Sequence, residues 1–363
     1  MNFPSRADFL TATRLTRTGR LGEATSLLQR MLSGETSGPP VGGGRANPTL
    51  GGLGETLLGL FGKAGRYAGF PRSEHDGRIG EAGRFLTGSF SNAAGSRPFK
   101  LYVPASYHGQ RSPLIVMLHG CTQSPDDFAA GTRMNAVAEE QACLVVYPAQ
   151  IASANPAKCW NWFSAGDQRR DSGEPSMIAG ITRQVMNEYA IDRQRVYVAG
   201  MSAGGAAAAI LGDAYPDLYA AIGVHSGLAC GAASDLPSAL AAMKHGGAGP
   251  ADASGGPLPA IVFHGTQDRT VHPSNADSVI AQLLSGAKLA VSVREDRVPG
   301  GHAYRQIRHA DAAGKTVLEQ WVVQGSGHAW SGGSEAGSYT DPLGPDASRE
   351  MVRFFLEHRH PGK

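Results

Sequence analysis

The stretch "VAGMSAGGAAA", Val198 to Ala208, places Ser202 in the pattern Gly200-Met201-Ser202-Ala203-Gly204. The apolar run Val196 to Ala199 precedes it, and an alanine-rich segment of high helix propensity follows. A serine flanked by glycines where a strand turns into a helix is the arrangement of a nucleophile elbow. The tight turn strains the serine, and the glycines let strand and helix backbones pass without collision. The following helix points its positive end, with the free amide of Ala203, at the same place. A five-residue pattern occurs often by chance, so this reading depends on partners elsewhere in the chain.

A serine hydroxyl attacks only when a base takes its proton and an acid fixes the tautomer of that base. In "PAIVFHGTQDRTV", Pro259 to Val271, a strand expected over Ala260 to Phe263 leads through His264 and Gly265 to Asp268. In "QWVVQGSGHAWSGG", Gln320 to Gly333, a strand ending near Val323 leads through Gly325 and Gly327 to His328. The order Ser202, Asp268, His328, each after a strand, is that of an α/β-hydrolase fold. A second oxyanion donor is expected in "LIVMLHGCTQ", Leu114 to Gln123, where Gly120 lets the backbone come close and the amide of Cys121 joins that of Ala203. His225 and His264, each at a strand end, read as structural hydrogen bonders, and Asp213 and Asp217 as capping residues.

Around these loops, strands alternate with helices. Strands are expected at Arg84 to Phe90, Phe99 to Val103, Leu114 to Leu118, Cys143 to Tyr147, Val196 to Ala199, Ala221 to His225, Ala260 to Phe263 and Thr316 to Val323. Helices are expected near Asp126 to Gln141, Pro175 to Tyr189, Ala203 to Ala214, Pro273 to Leu284 and Ala347 to His358. Short, wholly apolar strands separated by helices indicate an α/β fold: a mostly parallel central sheet covered on both faces, with the first two strands as an antiparallel hairpin at its edge. Chemistry then collects at the carboxyl ends of the strands. The stretches Gly231 to Gly256 and Gly332 to Pro345 read as loops.

Ahead of this catalytic region, assigned to 79–363, lie two other segments. Residues 1–33 read as a small helical hairpin with apolar residues at helical spacing and a break near Gly19. Five arginines there oppose Asp8 and Glu23, a net of +3, so the segment is suited to contact an anionic granule surface or another subunit. Residues 34–78, with "SGPPVGGGRANP", read as a Gly/Pro-rich linker.

The whole chain of 363 residues has a net charge of +2, which supplies no field for nucleic acid as main partner. No apolar run approaches the ~20 residues of a membrane span. The N-terminus has no continuous apolar stretch of the kind export signals carry, so the expected location is cytoplasmic. Four cysteines are too few and too spread for a disulfide scaffold or a metal site, and Cys143 reads as a buried thiol.

Taken in order, "LHGCTQSPDDFAAGTRMNAVAEE", "CWNWF", "VYVAGMSAGG", "YPDLYAAIGVHSG", "FHGTQDRTV" and "GSGHAWSGG" resemble the PHB depolymerase family of esterases, over about Phe85 to His358. That group is similar to short-chain polyhydroxyalkanoate depolymerases and to feruloyl and acetylxylan esterases. The resemblance implies an α/β-hydrolase fold with Ser202 as nucleophile, Asp268 as acid, His328 as base, and the Cys121 and Ala203 amides as oxyanion hole. It implies an ester substrate and neither metal nor organic cofactor. Secreted depolymerases of the group usually carry an export signal and a C-terminal polymer-binding domain; with Lys363 soon after the last helical stretch, attack on crystalline polymer outside the cell is not expected. Trp160, Trp162 and Trp330 are candidates for lining a substrate pocket. Cys121 and Cys159 are candidates for a bridge that a cytoplasmic location disfavours. A serine peptidase would use the same triad on amides, and a non-catalytic granule-binding protein would leave the triad idle.

Overall fold

Leu114, Ile115, Val116, Met117 and Leu118 are all fully buried, and that run forms the centre of the sheet. The computed structural model describes residues 83–250, 258–284 and 288–360. The segments expected at 1–33 and 34–78 lie outside the described residues.

Ten strands make one sheet in the order β1-β2-β4-β3-β5-β6-β7-β10-β9-β8. They are β1 (Arg84–Asn92), β2 (Gly95–Val103), β3 (Ser112–Leu118), β4 (Leu144–Pro148), β5 (Ile191–Met201), β6 (Ala221–His225), β7 (Ala260–Gly265), β8 (Ala290–Arg297), β9 (Ala303–Ala310) and β10 (Thr316–Val323). The six central strands, from β4 to β10 in that order, pair in parallel. Antiparallel hairpins close both edges, β1–β2 on one side and β8–β9 on the other. Two short strands, β11 (Trp330–Ser331) and β12 (Thr340–Asp341), pair separately.

Seven α-helices connect the described strands: α1 (Pro125–Thr132), α2 (Met134–Gln141), α3 (Gly173–Glu188), α4 (Ala203–Ala214), α5 (Leu236–His245), α6 (Ser274–Leu283) and α7 (Ala347–Leu356). None is long and apolar enough to cross a membrane. Buried aromatic stacking ties the layers together: the Tyr197 ring of β5 lies flat on Phe355 of α7 at 4.9 Å, and Phe263 of β7 stacks on Trp321 of β10 at 5.1 Å.

Departures from expectation have identifiable physical causes. One helix was expected over Asp126 to Gln141, but Arg133 takes a left-handed backbone, φ 54°, and splits it into α1 and α2. The Arg133 guanidinium donates to the Gly332 carbonyl and to Asp346, so tertiary contacts hold the break. Helix α5 lies in a stretch read as loop; Asp235 caps it by accepting from the Ser238 amide, with Pro237 in the first turn. Strand β8 is exposed along its whole length and β9 is only partly buried, so neither carries the apolar signature of a buried strand.

Phe355 is wholly buried and stacks on Tyr197. Phe355→Ala is expected to lower unfolding free energy by about 3–5 kcal/mol in urea titration; a loss under about 1 kcal/mol would contradict this packing.

Candidate active site

The turn after β5 carries Ser202 at φ 56° and ψ −120°, a conformation that non-glycine residues adopt only when their surroundings impose it. The surroundings are backbone. A Cβ on Gly200 would lie 2.3 Å from the Gly204 carbonyl oxygen, and one on Gly204 would lie 2.1 Å from that of Leu118. Strand β5, helix α4 and the end of β3 thus touch main chain to main chain, and only glycine fits at 200 and 204. The Ser202 amide is tied to the end of β6 by donating to the His225 carbonyl at 2.9 Å. Ala203 is the first residue of α4, so its amide has no partner within the helix and projects from the positive end.

Two strands along, β7 ends in Gly265, where a Cβ would sit 2.3 Å from the Ser326 carbonyl. The loops after β7 and β10 are stitched at that point: the Gln267 amide donates to the Ser326 carbonyl, and the Gly325 amide to the Thr266 hydroxyl. This contact brings Asp268 and His328 together, with Nδ1 of His328 2.7 Å from Oδ2 of Asp268. The other carboxylate oxygen accepts the amides of Thr270 and Val271 at 2.9 and 2.8 Å. Burial by itself raises the carboxyl pKa, but hydrogen bonds from His264 and His328 outweigh it and hold Asp268 far below the usual carboxylate range. Asp268 is therefore an anion whose lone pairs are committed, and it fixes His328 with Nδ1 protonated and Nε2 bare. Among the described residues the Ser202 hydroxyl makes no hydrogen bond to His328; contacts of this type tighten when substrate binds.

The third loop follows β3. A Cβ on Gly120 would be 3.6 Å from Cβ of Ser202, so the His119-Gly120-Cys121 turn runs directly past the serine. Gln123 accepts from the Gly120 amide at 2.9 Å, and the Thr122 amide donates to the Ala157 carbonyl. The Cys121 amide has no hydrogen-bond partner among the described residues. His119 is buried and neutral, its pKa pushed down to about 4 by desolvation; it donates through Nδ1 to Gly120 and accepts the Gln150 amide at Nε2.

Cys121 is bridged to Cys159, the candidate pair that a cytoplasmic location would disfavour. The bridge ties the turn beside Ser202 to the segment 149–163, and that segment hangs on the buried carboxylate of Glu174, which receives hydrogen bonds from Gln150 and from the backbone and side chain of Asn161. Cys143 is a buried free thiol as expected, and Cys230 is another.

The tryptophans are placed differently from expectation. Trp330 is 1% exposed, stacks on His225 and donates to the Ser348 hydroxyl, so it is core and not pocket wall. Trp160 is equally buried, and its indole N–H holds the His119 carbonyl. Trp162 is buried against Phe163. All three are large apolar residues near catalytic loops, which is why sequence reading placed them in the pocket, but they support the loops from behind. A groove of about 570 Å³ between β1 and α3, lined by Asn92, Ser176, Arg183 and Glu188 among others, includes none of the residues discussed above.

Residues 97–298 match the family model described as esterase PHB depolymerase. The chain belongs to that family. The Poly(3-hydroxyalkanoate) depolymerase C of Paucimonas lemoignei is 29% identical over 252 residues, 66% of this chain. Feruloyl esterase B of Neurospora crassa is 26% identical over 283 residues, covering 72% of this chain and 89% of that protein. The chain spans only 60% of the Paucimonas enzyme's length. Among solved structures, an acetyl xylan esterase from Aspergillus awamori superposes with a TM-score of 0.55 at 18% identity, covering 72% of this chain and 94% of that one. This likeness carries the fold, an α/β-hydrolase.

The cysteine pairing yields a direct check. Non-reduced, denatured protein should show two reactive thiols, Cys143 and Cys230, rising to four after reduction. Cys159→Ser, which opens a loop of 38 residues, should cost about 2–4 kcal/mol in denaturant unfolding. Four thiols without reductant would contradict the bridge.

Proposed function

We propose that this chain is a serine esterase that cleaves carboxylic esters through an acyl-enzyme on Ser202, with polyhydroxybutyrate or related 3-hydroxyalkanoate oligomers as substrates. The observation that supports it most is the strained Ser202 turn flanked by main-chain contacts at Gly200 and Gly204, at the same strand-end face as the Asp268–His328 pair. In this reading Nε2 of His328 takes the Ser202 proton as the hydroxyl oxygen attacks the ester carbonyl. The amides of Cys121 and Ala203 hold the oxyanion, and the same histidine returns the proton to the leaving alcohol. Water activated by His328 then releases the acid. Asp268 stays ionised throughout and stabilises the imidazolium.

Family membership and the similarity to the Paucimonas depolymerase support the polyester class. A feruloyl- or acetyl-type ester is the second reading, favoured by the 89% coverage of the Neurospora feruloyl esterase. The Cys121–Cys159 bridge supports an oxidising compartment over the cytoplasm expected from the N-terminus. The basic 1–33 segment is assigned to contact with a granule or another subunit.

Wild-type protein and Ser202→Ala, compared on amorphous polyhydroxybutyrate, a 3-hydroxybutyrate oligomer, methyl ferulate and short p-nitrophenyl esters, test the proposal. Ser202→Ala should lose at least about 10³-fold in kcat on every ester the wild type cleaves while keeping its Tm. Release of 3-hydroxybutyrate by the wild type supports the polyester reading, and turnover confined to methyl ferulate or short esters supports the second. Undiminished hydrolysis by Ser202→Ala would overturn both.

A further inference from the structure

Asp268 is held by two histidines. Its Oδ2 receives Nδ1 of His328 at 2.7 Å and faces Nε2 of His264 at 3.3 Å. His264 sits in β7, four residues before Asp268, and is 2% exposed. Its Nε2 is also 2.9 Å from the Val271 carbonyl, an atom that can only accept, so Nε2 carries the proton and shares it between Val271 and Asp268. Its Nδ1 is buried and has no hydrogen-bond partner among the described residues. A second proton there would create a buried N–H with nothing to receive it, so the ring is a neutral donor with one fixed tautomer.

We propose that His264 is a positioning residue for the base: its Nε2–H anchors the Asp268 oxygen that orients His328 and moderates how strongly that oxygen favours the imidazolium. The inference rests on the reading of Asp268 and His328 as acid and base. The arrangement does two things that packing alone does not require. Oδ1 accepts two backbone amides and Oδ2 faces two ring N–H groups, so rotating the carboxylate away from His328 would give up contacts at both oxygens. The His264 donor also draws negative charge from Oδ2, leaving less to stabilise a proton on His328. His264 reaches no substrate in this arrangement and acts only through Asp268.

The titratable groups facing this cluster are few. From β6, His225 lies close to this cluster; burial above all pushes its pKa down to about 3, so it stays neutral. Its Nε2 accepts the Ser331 amide and its Nδ1 bonds to the Ser226 hydroxyl. From β10 and its following loop comes His328 itself. From α6, which packs on β7, Asp277 is engaged by Gln320. Across the His328 loop, Asp341 pairs with His302 and accepts from Ser326.

Ester cleavage needs neutral His328, so activity falls as pH drops through its protonation. Removing the His264 donor leaves more charge on Oδ2, favours the imidazolium and moves the acid limb of kcat/KM to higher pH.

The test is the pH profile of p-nitrophenyl ester hydrolysis by wild type, His264→Leu and His264→Gln, with Ser202→Ala beside them. His264→Leu should shift the acid limb upward by roughly half a pH unit or more and lower kcat about tenfold with KM unchanged. His264→Gln, which keeps an N–H near the Nε2 position, should return the limb to its wild-type place. An unmoved limb in His264→Leu, or an equal shift in His264→Gln, would overturn the inference. An active Ser202→Ala would instead overturn the reading it rests on. Nitrogen-15 NMR of histidine-labelled wild type gives a second readout should His264→Leu not fold: one ring with Nε2–H and bare Nδ1 is expected, and a protonated Nδ1 on His264 would be contradictory.

Discussion

Ser202 can hold its strained turn only because three stretches of main chain meet around it without side chains between them. The missing Cβ atoms of Gly200 and Gly204 let the end of β5, the first turn of α4 and the end of β3 close to contact. A backbone conformation of this kind costs on the order of 1–3 kcal/mol, met here by burial of the surrounding strands. Everything else at the site is measured from that point. The turn after β3 passes beside the serine because Gly204 admits the Leu118 carbonyl, and helix α4 starts at Ala203 because the chain reverses at Ser202.

The second layer is electrostatic. One buried carboxylate, Asp268, is kept ionised by four donors, and the histidines of the site divide the work by tautomer. His225 and His119 are too deeply buried to charge, so they serve as neutral hydrogen-bond bridges: His225 between the β6 end and Ser331, His119 between its own turn and Gln150. His328, paired with Asp268, is the ring that the proposed mechanism uses as its base. Behind these groups, Trp160, Trp330 and the Cys121–Cys159 bridge fix the loops from the core side.

The parallel sheet and the Ser202, Asp268 and His328 loops were legible because they are written in local patterns: apolar runs of strand length, glycines at turns, polar residues just beyond strand ends. The edge hairpin β8–β9 was not, since β8 is exposed at every residue and offers no apolar run of strand length. The break at Arg133 depends on Gly332 and Asp346, some 200 residues away, and leaves no local trace. The tryptophans illustrate the same limit, because an indole near a catalytic loop reads alike whether it faces substrate or core. His264 was visible as a strand-end histidine, but its hold on Asp268 depends on how the loop folds back to Val271.

The central claim is that Ser202 is the activated nucleophile. The most direct measurement is peptide mapping by mass spectrometry after exposing the native protein to a fluorophosphonate probe. One adduct, on the peptide containing Ser202 and lost on prior heat denaturation, is the predicted result. An unlabelled native protein, or an adduct on a different residue, would contradict the account.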